Sequence, residues 1–463
     1  MDHAFLLLLL LLLARVYPSS SAYDFEHCTN TVEQWASSSL HSDSKEGQIL
    51  KDLLFFLHVP RTGGRTYFYC FLKKLYSSSL ECPRSYDKLH FDPRKRNCRL
   101  LATHDDYSIM SKLPREKTSV VTLLRSPIER VFSAYEFSIE VAARFLVHPN
   151  MTSASRTSAH LRLKKGVIST LEIWPWKYLV PWMMEELFSR RDARKIKGPP
   201  YTYGNDSYNM KEIVMPLHEF INHPVALDII HNGATFQVAG LTNNSNKWEA
   251  HEVRHCVMTH QTLGKHVLEV AKKRLDDMLY VGLTEDHKES ATMFANLVGS
   301  QVISQLVASN PVTEAVSKSR VTTRQLLKHR MTVGKLMETY ETCVSKLRST
   351  QSKRRINSFK RISPANFTKE ARLHVSEAVL KKITLLNSLD IELYKHAQKI
   401  FVRQQKFMEQ KLLDSDGTPE MWQAVHGKNY KWEILYLVLF ILLLLFFIYF
   451  FVKAKTRISK LKI

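Results

Sequence analysis

Short apolar runs that alternate with helix-compatible sequence constrain the fold of this chain more than any other feature. Each run has the length and apolar content of a buried β-strand, and polar residues separate it from the segment that follows. Strands that alternate with helices favour an α/β fold with a central, mostly parallel sheet flanked by helices. The strand-like runs are residues 53–59, 99–103, 119–124 and 278–283.

The first run leads into a turn, VPRTGGRT, and then into an aromatic, helix-like stretch. A strand that enters a helix through such a turn presents main-chain N–H groups at the helix N-terminus, where anions bind. The glycines let the backbone approach an anion, the arginines add charge and the threonines add hydroxyl donors. The spacing is not that of the P-loop, so ordinary ATP or GTP hydrolysis is not indicated, and a plain tight turn is the alternative. The candidate anion-binding residues are Arg61, Thr62, Gly63, Gly64, Arg65 and Thr66.

A second segment, VVTLLRSPIERVFSAYEF, repeats the order of strand, turn and helix. Pro127 suits the first turn of a helix. Arg125 at the strand end and Ser133 in the helix are placed to converge on another phosphate, which arginine holds through its forked donors. Two separated anion sites on one sheet suit a nucleotide that is phosphorylated at both ends. The alternative is that Arg125 and Ser133 are a capping residue and a surface hydroxyl.

The N-terminus has the pattern of a secretory signal peptide. Residues 5–13 are continuously apolar, and Ser20, Ser21 and Ala22 provide small residues at a cleavage site. We therefore expect a signal peptide at residues 1–22. A buried helix of the folded domain is the alternative, although an unbroken apolar run rarely forms an amphipathic surface helix.

The C-terminus has the pattern of a membrane anchor. Residues 434–452 are nineteen positions without a charge, close to the roughly 20 residues that cross a bilayer as a helix. The basic residues concentrated in residues 453–463 predict that this tail is cytosolic. We therefore expect a single-pass type I protein, with a lumenal domain at residues 23–405 and a juxtamembrane linker at residues 406–433. A buried core helix is the alternative for residues 434–452.

The net charge of the chain limits the classes of partner that the lumenal domain is expected to bind. The chain has 66 basic and 44 acidic residues, a formal net charge of +22, which favours acidic glycans, acidic peptides or phosphorylated small molecules. A secretory compartment excludes nucleic acid as a partner. A basic surface that serves only solubility is the alternative.

The cysteines and glycosylation sequons agree with a lumenal location. The six cysteines permit disulfides in an oxidising compartment, but their spacing selects no pairing. The chain has no CxxC pair and no His–Cys cluster, so we predict no metal site. The sequons lie at Asn150, Asn205, Asn243 and Asn366.

Other segments have less distinctive patterns. Residues 151–198 are rich in Arg, Lys and Trp and are interpreted as an insertion. Residues 317–361 are basic and rich in Ser and Thr, which we interpret as helices joined by a mobile segment. Helical spacing returns over residues 381–405.

The two strand–turn–helix segments together resemble a known family. HVPRTGGRT and LLRSPIERVFSAY are similar to the 5′-phosphosulfate and 3′-phosphate motifs of Golgi sulfotransferases that use 3′-phosphoadenosine 5′-phosphosulfate (PAPS). The similarity is closest to the heparan sulfate 6-O-sulfotransferase type, and YVGLTEDHKES and LNSLDIELYKHAQKIF resemble later segments of that family. A signal peptide at the front and an anchor at the back resemble the plant type of tyrosylprotein sulfotransferase. The resemblance is close over residues 53–144 and loose over residues 275–401.

This resemblance implies a PAPS-dependent sulfotransferase fold and roles for individual residues. The family usually has lysine where Arg61 stands, so the implied role of Arg61 is an electrostatic clamp on the bridging oxygen and sulfuryl group. The segment ATHDDYS corresponds to the HxDW segment of the family, which implies His104 as a general base with a pKa near 6.5. Asp105 and Asp106 are the alternatives for the residue that orients its ring.

The implied activity is transfer of the sulfuryl group of PAPS, without a metal, to tyrosine hydroxyls near acidic residues. The substrates would be secreted or membrane peptides, and the location the Golgi membrane. A heparan-type glycan is the alternative acceptor, and a lumenal glycan-binding protein without catalysis is the alternative of another class. The family also implies a Cys82–Cys98 disulfide, whereas Cys70 is expected to be buried.

Overall fold

A computed structural model describes residues 20–41, 49–82, 98–146, 208–209, 215–223, 226–308, 331–359, 362–363, 372–414 and 439–440. The chain divides into two compact units, Met1–Gln405 and Lys406–Ile463, and the site described below lies in the first. Most of the expected signal peptide, linker and membrane span lies outside the described residues, as do the insertion at residues 151–198 and the cytosolic tail. These assignments remain predictions.

The core of the first unit is a parallel sheet. The described strands are β1 (Leu53–Leu57), β2 (Leu100–Thr103), β3 (Thr118–Leu124), β4 (Tyr208–Asn209), β5 (Tyr280–Leu283) and β6 (Ile362–Ser363). Four of them form one sheet in the order β2-β1-β3-β5, and every neighbouring pair is parallel. Every residue of these four strands is buried, which is typical of a parallel sheet covered on both faces. All four predicted strands and the α/β class are confirmed, while β4 and β6 form a separate parallel pair.

Helices surround the sheet and connect its strands. Two helical runs contain a π-helical turn, Phe68–Leu72 in the first and Ala295–Gly299 in the second, and short 3₁₀ turns occur at Tyr107–Lys112, Arg115–Lys117 and Gln261–Leu263. The described α-helices are α1 (Ser20–Leu40), α2 (Gly64–Tyr67), α3 (Lys73–Leu75), α4 (Pro127–Leu146), α5 (Leu217–Phe220), α6 (Leu227–Ile230), α7 (Gly233–Val238), α8 (Glu249–Thr259), α9 (Gly264–Asp276), α10 (His287–Phe294), α11 (Ser300–Ala308), α12 (Val333–Phe359), α13 (Glu377–Leu386) and α14 (Ser388–Asp414).

The C-terminal helices differ in detail from their sequence patterns. The helix predicted over residues 381–405 is two helices, because α13 ends before Asn387 and α14 begins after it. The side-chain oxygen of Asn232 accepts hydrogen bonds from the N–H groups of Leu389 and Asp390, at 2.9 and 3.2 Å, and so caps α14. The described part of the basic segment, residues 331–359, consists almost entirely of the helix α12. The rest of the segment lies outside the described residues, so the mobile stretch expected within residues 317–361 stays a prediction.

All six cysteines form disulfides, and two of the three connect distant helices. Cys28–Cys256 joins α1 to α8, and Cys70–Cys343 joins the helical run after β1 to α12. Cys82–Cys98 closes the segment before β2, which confirms the predicted pair. The expectation that Cys70 is buried is also confirmed.

Within the described residues, one helical run, His287–Ala308, is long and apolar enough to cross a membrane. Its position argues for a core helix instead. Met293, Phe294 and Val298 are buried in the first unit, and the hydroxyl of Tyr280 in β5 donates to the carbonyl of Ser290 at 2.6 Å. The anchor at residues 434–452 is a separate prediction.

Candidate active site

The predicted site residues follow the carboxyl ends of neighbouring strands. Leu57 at the end of β1 pairs in register with Thr103 at the end of β2, so His58 and His104 occupy equivalent positions one residue later. Arg125 follows β3, which pairs with the other edge of β1. Ligands of open parallel sheets bind at this edge, beyond the carboxyl ends of the strands.

The turn between β1 and α2 holds an unusual backbone conformation. Arg61 has φ 71° and Gly63 has φ 80°, both in the left-handed region. This conformation costs a non-glycine residue roughly 1–3 kcal/mol and is found most often at functional sites. The hydroxyl of Thr62 donates to the carbonyl of Val59 at 2.8 Å, and its own carbonyl accepts a bond from the Thr284 hydroxyl at 2.7 Å. Thr62 therefore holds the turn through its side chain.

The rest of the turn forms the start of the helix. The first N–H groups of any helix lack partners within it, so those around Gly64 and Arg65 face out of the helix end. The N–H of Thr66 donates to the carbonyl of Gly63 at 2.9 Å. Arg65 is exposed, and its guanidinium lies 5.4 Å from the ring centre of Tyr69. The predicted anion loop thus has its N–H groups and one exposed cation at the sheet edge.

Arg61 joins the first motif to the second. Its guanidinium donates to the hydroxyl of Ser133 from Nε at 3.1 Å and from Nη2 at 2.9 Å. It also lies over the ring of Phe137, 4.6 Å from the ring centre. Ser133 is buried on α4, so its hydroxyl has a fixed position. The structure therefore brings together two predicted residues that are 72 positions apart in the chain.

Arg125 lies beside this pair and is flanked by two carboxylates. Its Nη1 donates to the carbonyl of Arg61 at 3.4 Å, and its Nη2 donates to Glu129 at 3.3 Å. Its Nε lies 3.8 Å from Glu285, which also accepts a bond from the N–H of Ser126 at 3.1 Å. Arg125 is thus adjacent to the Arg61–Ser133 pair, with two carboxylates balancing its charge.

His104 is held in one orientation by a main-chain carbonyl. Its Nδ1 lies 2.9 Å from the carbonyl oxygen of His58, which can only accept, so Nδ1 carries the proton and Nε2 is the basic nitrogen. His104 is only 5% exposed. Burial lowers its pKa to about 4, although the bond to the His58 carbonyl opposes that shift. The expectation of a pKa near 6.5 was therefore wrong, because the sequence pattern did not reveal this burial.

The aspartates after His104 have structural partners. Asp106 accepts bonds from the N–H of Ser108 at 3.0 Å and from the hydroxyl of Thr242 at 2.7 Å. Asp105 accepts bonds from the hydroxyl of Thr103 and from the side-chain amide of Asn244. Burial raises the pKa of both carboxyl groups. These contacts fix the loop after β2, whereas the carbonyl of His58 orients the ring of His104.

Two buried residues at this edge were missed in the sequence. The ring of His58 stacks on that of His104 with the ring centres 4.1 Å apart. Gln237 on α7 donates from Nε2 to the carbonyls of His104 at 2.9 Å and of His58 at 3.2 Å. The position of His58 directly after a strand was an available signal, but nothing in the sequence around Gln237 indicated its contacts.

Among the described residues, one group of three potential metal ligands lies close together, formed by Asp24, Cys28 and His260. Cys28 is bonded to Cys256 in a disulfide, so its sulfur cannot serve as a thiolate ligand. The group is therefore poorly suited to hold a metal ion.

Comparison with known proteins identifies the family. No protein-family model matches the chain. A protein-tyrosine sulfotransferase of Arabidopsis thaliana is 53% identical over 489 aligned positions, which cover 98% of each chain. The chain belongs to the protein-tyrosine sulfotransferase family. The resemblance inferred from the paired motifs is thus confirmed, and this family member places both motifs at one edge of its parallel sheet.

Proposed function

We propose that this chain transfers the sulfuryl group of PAPS to the hydroxyl of tyrosine residues in secreted or membrane-bound peptides. The observation that carries the proposal is the contact between Arg61 and Ser133. This contact brings the two predicted anion-binding motifs together, and His104 directly follows the neighbouring strand β2. The name of the Arabidopsis relative supports tyrosine as the acceptor.

The residues at the sheet edge fit a donor with two anionic ends. The turn around Gly63 and Gly64 offers main-chain N–H groups at the start of the helix, and Arg61 adds a positive charge beside them. Arg125 and Ser133 would hold the 3′-phosphate, arginine through its fork and serine through its hydroxyl. The bound donor supplies the activated sulfuryl group, and the protein supplies positions and charges.

Arg61 would act as an electrostatic clamp. Its two bonds to Ser133 and its stacking on Phe137 hold the guanidinium before any ligand arrives. A fixed positive charge beside the bond that breaks stabilises the negative charge that develops on the leaving oxygen. Because arginine keeps its proton at all physiological pH values, Arg61 contributes charge and not a proton.

His104 would accept the proton of the tyrosine hydroxyl at Nε2. With a pKa of about 4, the ring is neutral at neutral or mildly acidic lumenal pH, so it is always in the form that accepts a proton. Nearby anionic groups of a bound donor would raise this pKa and make the ring a stronger base. The bond from Nδ1 to His58 keeps Nε2 directed away from that carbonyl throughout.

The preference for acidic peptides and the Golgi membrane location are the finer parts of the proposal. The formal net charge of +22 supports an acidic context around the acceptor tyrosine. The uncharged run at residues 434–452 supports a membrane-anchored protein whose catalytic unit faces the lumen.

Transfer of label tests the proposal. The purified full-length chain in detergent would be incubated with radiolabelled PAPS and one of three acceptors. These are an acidic peptide with one tyrosine, the same peptide with phenylalanine instead, and desulfated heparan sulfate. We expect label on the tyrosine peptide alone. Label on the glycan would replace the proposed acceptor, and label on no acceptor would favour a binding protein.

A further inference from the structure

His58 is a buried ionisable group at the sheet edge that the mechanism above does not use as a side chain. It is 4% exposed and follows β1 directly. Burial, and then the neighbouring charges of His104, Arg61 and Arg65, lower its pKa well below the usual value. The imidazole is therefore neutral and functions as a flat, rigid group.

The ring of His58 packs against the candidate base and against a residue of the hydrophobic core. On one side it stacks on the ring of His104, with centres 4.1 Å apart and planes 27° apart. It also lies nearly parallel to the ring of Phe56, with centres 5.4 Å apart. The ring of His104 therefore stacks on the ring of His58, which in turn stacks on Phe56 of the buried strand β1.

The same ring lies against the start of α2. A Cβ atom added at Gly64 would lie 2.2 Å from Cδ2 of His58, which is far inside van der Waals contact. Gly64 is therefore a glycine because the imidazole of His58 occupies the place of its side chain. The predicted anion loop and the candidate base thus both lie against the imidazole of His58.

We propose that His58 is a positioning residue that sets the distance between the anion loop at Gly64 and the base His104. This proposal rests on the proposed function, because it assigns His58 a role in the same reaction. The ring of His58 acts through His104 and Gly64 and does not contact the reacting atoms. Gln237 supports the arrangement by holding the carbonyls of both histidines.

Kinetics of His58 variants on the tyrosine peptide test the role. His58→Ala removes the support, and we expect kcat to fall about 10- to 100-fold, since a displacement near 1 Å at a catalytic group has effects of that size. Water then reaches His104, so its pKa rises from about 4, and the acid limb of the pH profile moves to higher pH. His58→Phe retains a flat ring, so we expect it to regain most of the lost kcat and the original acid limb.

A second pair of variants tests the contact with the loop. Gly64→Ala forces a clash with the ring of His58, so we expect weaker binding of adenosine 3′,5′-bisphosphate. Combining it with His58→Ala removes the clash, so the double variant should bind more tightly than Gly64→Ala alone. A simple loss of stability would not produce this recovery.

The controls separate this inference from the proposed function. His255→Ala changes an exposed histidine and reports nonspecific effects, and the melting temperature of each variant reports folding. If His104→Ala stays active, the proposed base is wrong. If His104→Ala is inactive while His58→Ala keeps kcat within about twofold and the same acid limb, the positioning role is wrong. A kcat of His58→Phe as low as that of His58→Ala would also overturn it. If His58→Ala does not fold, His58→Gln replaces it with the same expected and contradicting results.

Discussion

Nη2 of Arg61 lies 2.9 Å from the hydroxyl oxygen of Ser133, so the turn after the first strand and the helix after the third strand share one polar contact. The hydroxyl can accept from Arg61 and still donate its own hydrogen to an anion. The contact therefore holds both groups where, in the proposed site, they would face a common ligand. The contact links the two motifs, which would bind the two phosphorylated ends of a nucleotide.

Ser133→Ala should weaken donor binding more than it weakens folding. The substitution removes the acceptor of two Arg61 bonds and, in the proposed site, one direct donor to the 3′-phosphate. Loss of a hydrogen bond to a charged group costs about 1.5–3 kcal/mol, which corresponds to roughly a 10- to 150-fold higher Kd. Calorimetric titration with adenosine 3′,5′-bisphosphate measures the change, and Ser138→Ala on the same helix is the matched control. Equal Kd values for the two variants would contradict the assignment.

Arg61→Lys should show how much of the contribution of Arg61 to kcat comes from its charge and how much from its planar shape. Lysine retains the charge but cannot make the forked contact with Ser133 or stack as a planar group on Phe137. We expect a partial loss of kcat for Arg61→Lys, and a loss of about 100- to 1,000-fold for Arg61→Ala, the size seen when one oxyanion-stabilising group is removed. Initial rates at saturating PAPS measure both. If the two variants lose kcat equally, charge at this position is unimportant.

Acid should destabilise the folded chain through His104. Its folded pKa of about 4 lies below the unfolded value near 6.5, so the unfolded chain binds more protons between these pH values and stability falls as pH falls through this window. Between pH 7 and pH 5 the contribution is about 2 kcal/mol. Urea unfolding at both pH values should show a smaller difference for His104→Gln than for the unchanged chain. The same difference in both would mean that His104 is not buried as a neutral ring.

The ion pair between Arg130 and Asp390 should be essential for stability. Both side chains are 2% exposed, their charged atoms lie 2.6 Å apart, and Asp390 also accepts bonds from the N–H and hydroxyl of Thr235 at 2.7 Å. The pair joins α4, α7 and α14. Asp390→Asn leaves a buried arginine without its countercharge, so we expect a loss of about 3–5 kcal/mol in the free energy of unfolding. Asp276→Asn, at an exposed pair with Arg403, should cost less than about 1 kcal/mol and is the control.

Two of the disulfides should contribute unequally to stability. Cys70 and Cys343 are 273 positions apart, whereas Cys82 and Cys98 are 16 apart. A longer closed loop restricts the unfolded chain more, so replacing the first pair with serines should lower the melting temperature more than replacing the second. Differential scanning calorimetry of the two double variants measures this. The opposite order would show that strain or residual structure outweighs loop length.

The sheet and the two strand–turn–helix motifs could be predicted because both depend on short-range patterns. Strands buried on both faces are continuous apolar runs, and parallel strands bring their carboxyl ends to one edge. The sequence indicated two separated anion sites, with Arg125 and Ser133 at the second, so the contact between Arg61 and Ser133 was not predicted. The Cys82–Cys98 pair was available only from the family resemblance.

The remaining features depend on contacts between distant residues. Gln237 reaches His104 across 133 positions, and Asn232 caps α14 across 157 positions, so no local pattern reveals either role. The pairings of Cys28 and Cys70 also required the packed helices. The burial that lowers the pKa of His104 follows from tertiary packing, and a motif gives only the residue type.

The rate of sulfuryl transfer by His104→Ala is the most direct test of His104 as the general base. The full-length variant would be compared with His255→Ala on the acidic tyrosine peptide with radiolabelled PAPS, after both have been shown to bind adenosine 3′,5′-bisphosphate. We predict that His104→Ala binds the bisphosphate as His255→Ala does but transfers label at least about 100-fold more slowly, the size expected for loss of a general base. Transfer by His104→Ala at the rate of His255→Ala would contradict the role of His104 as the general base.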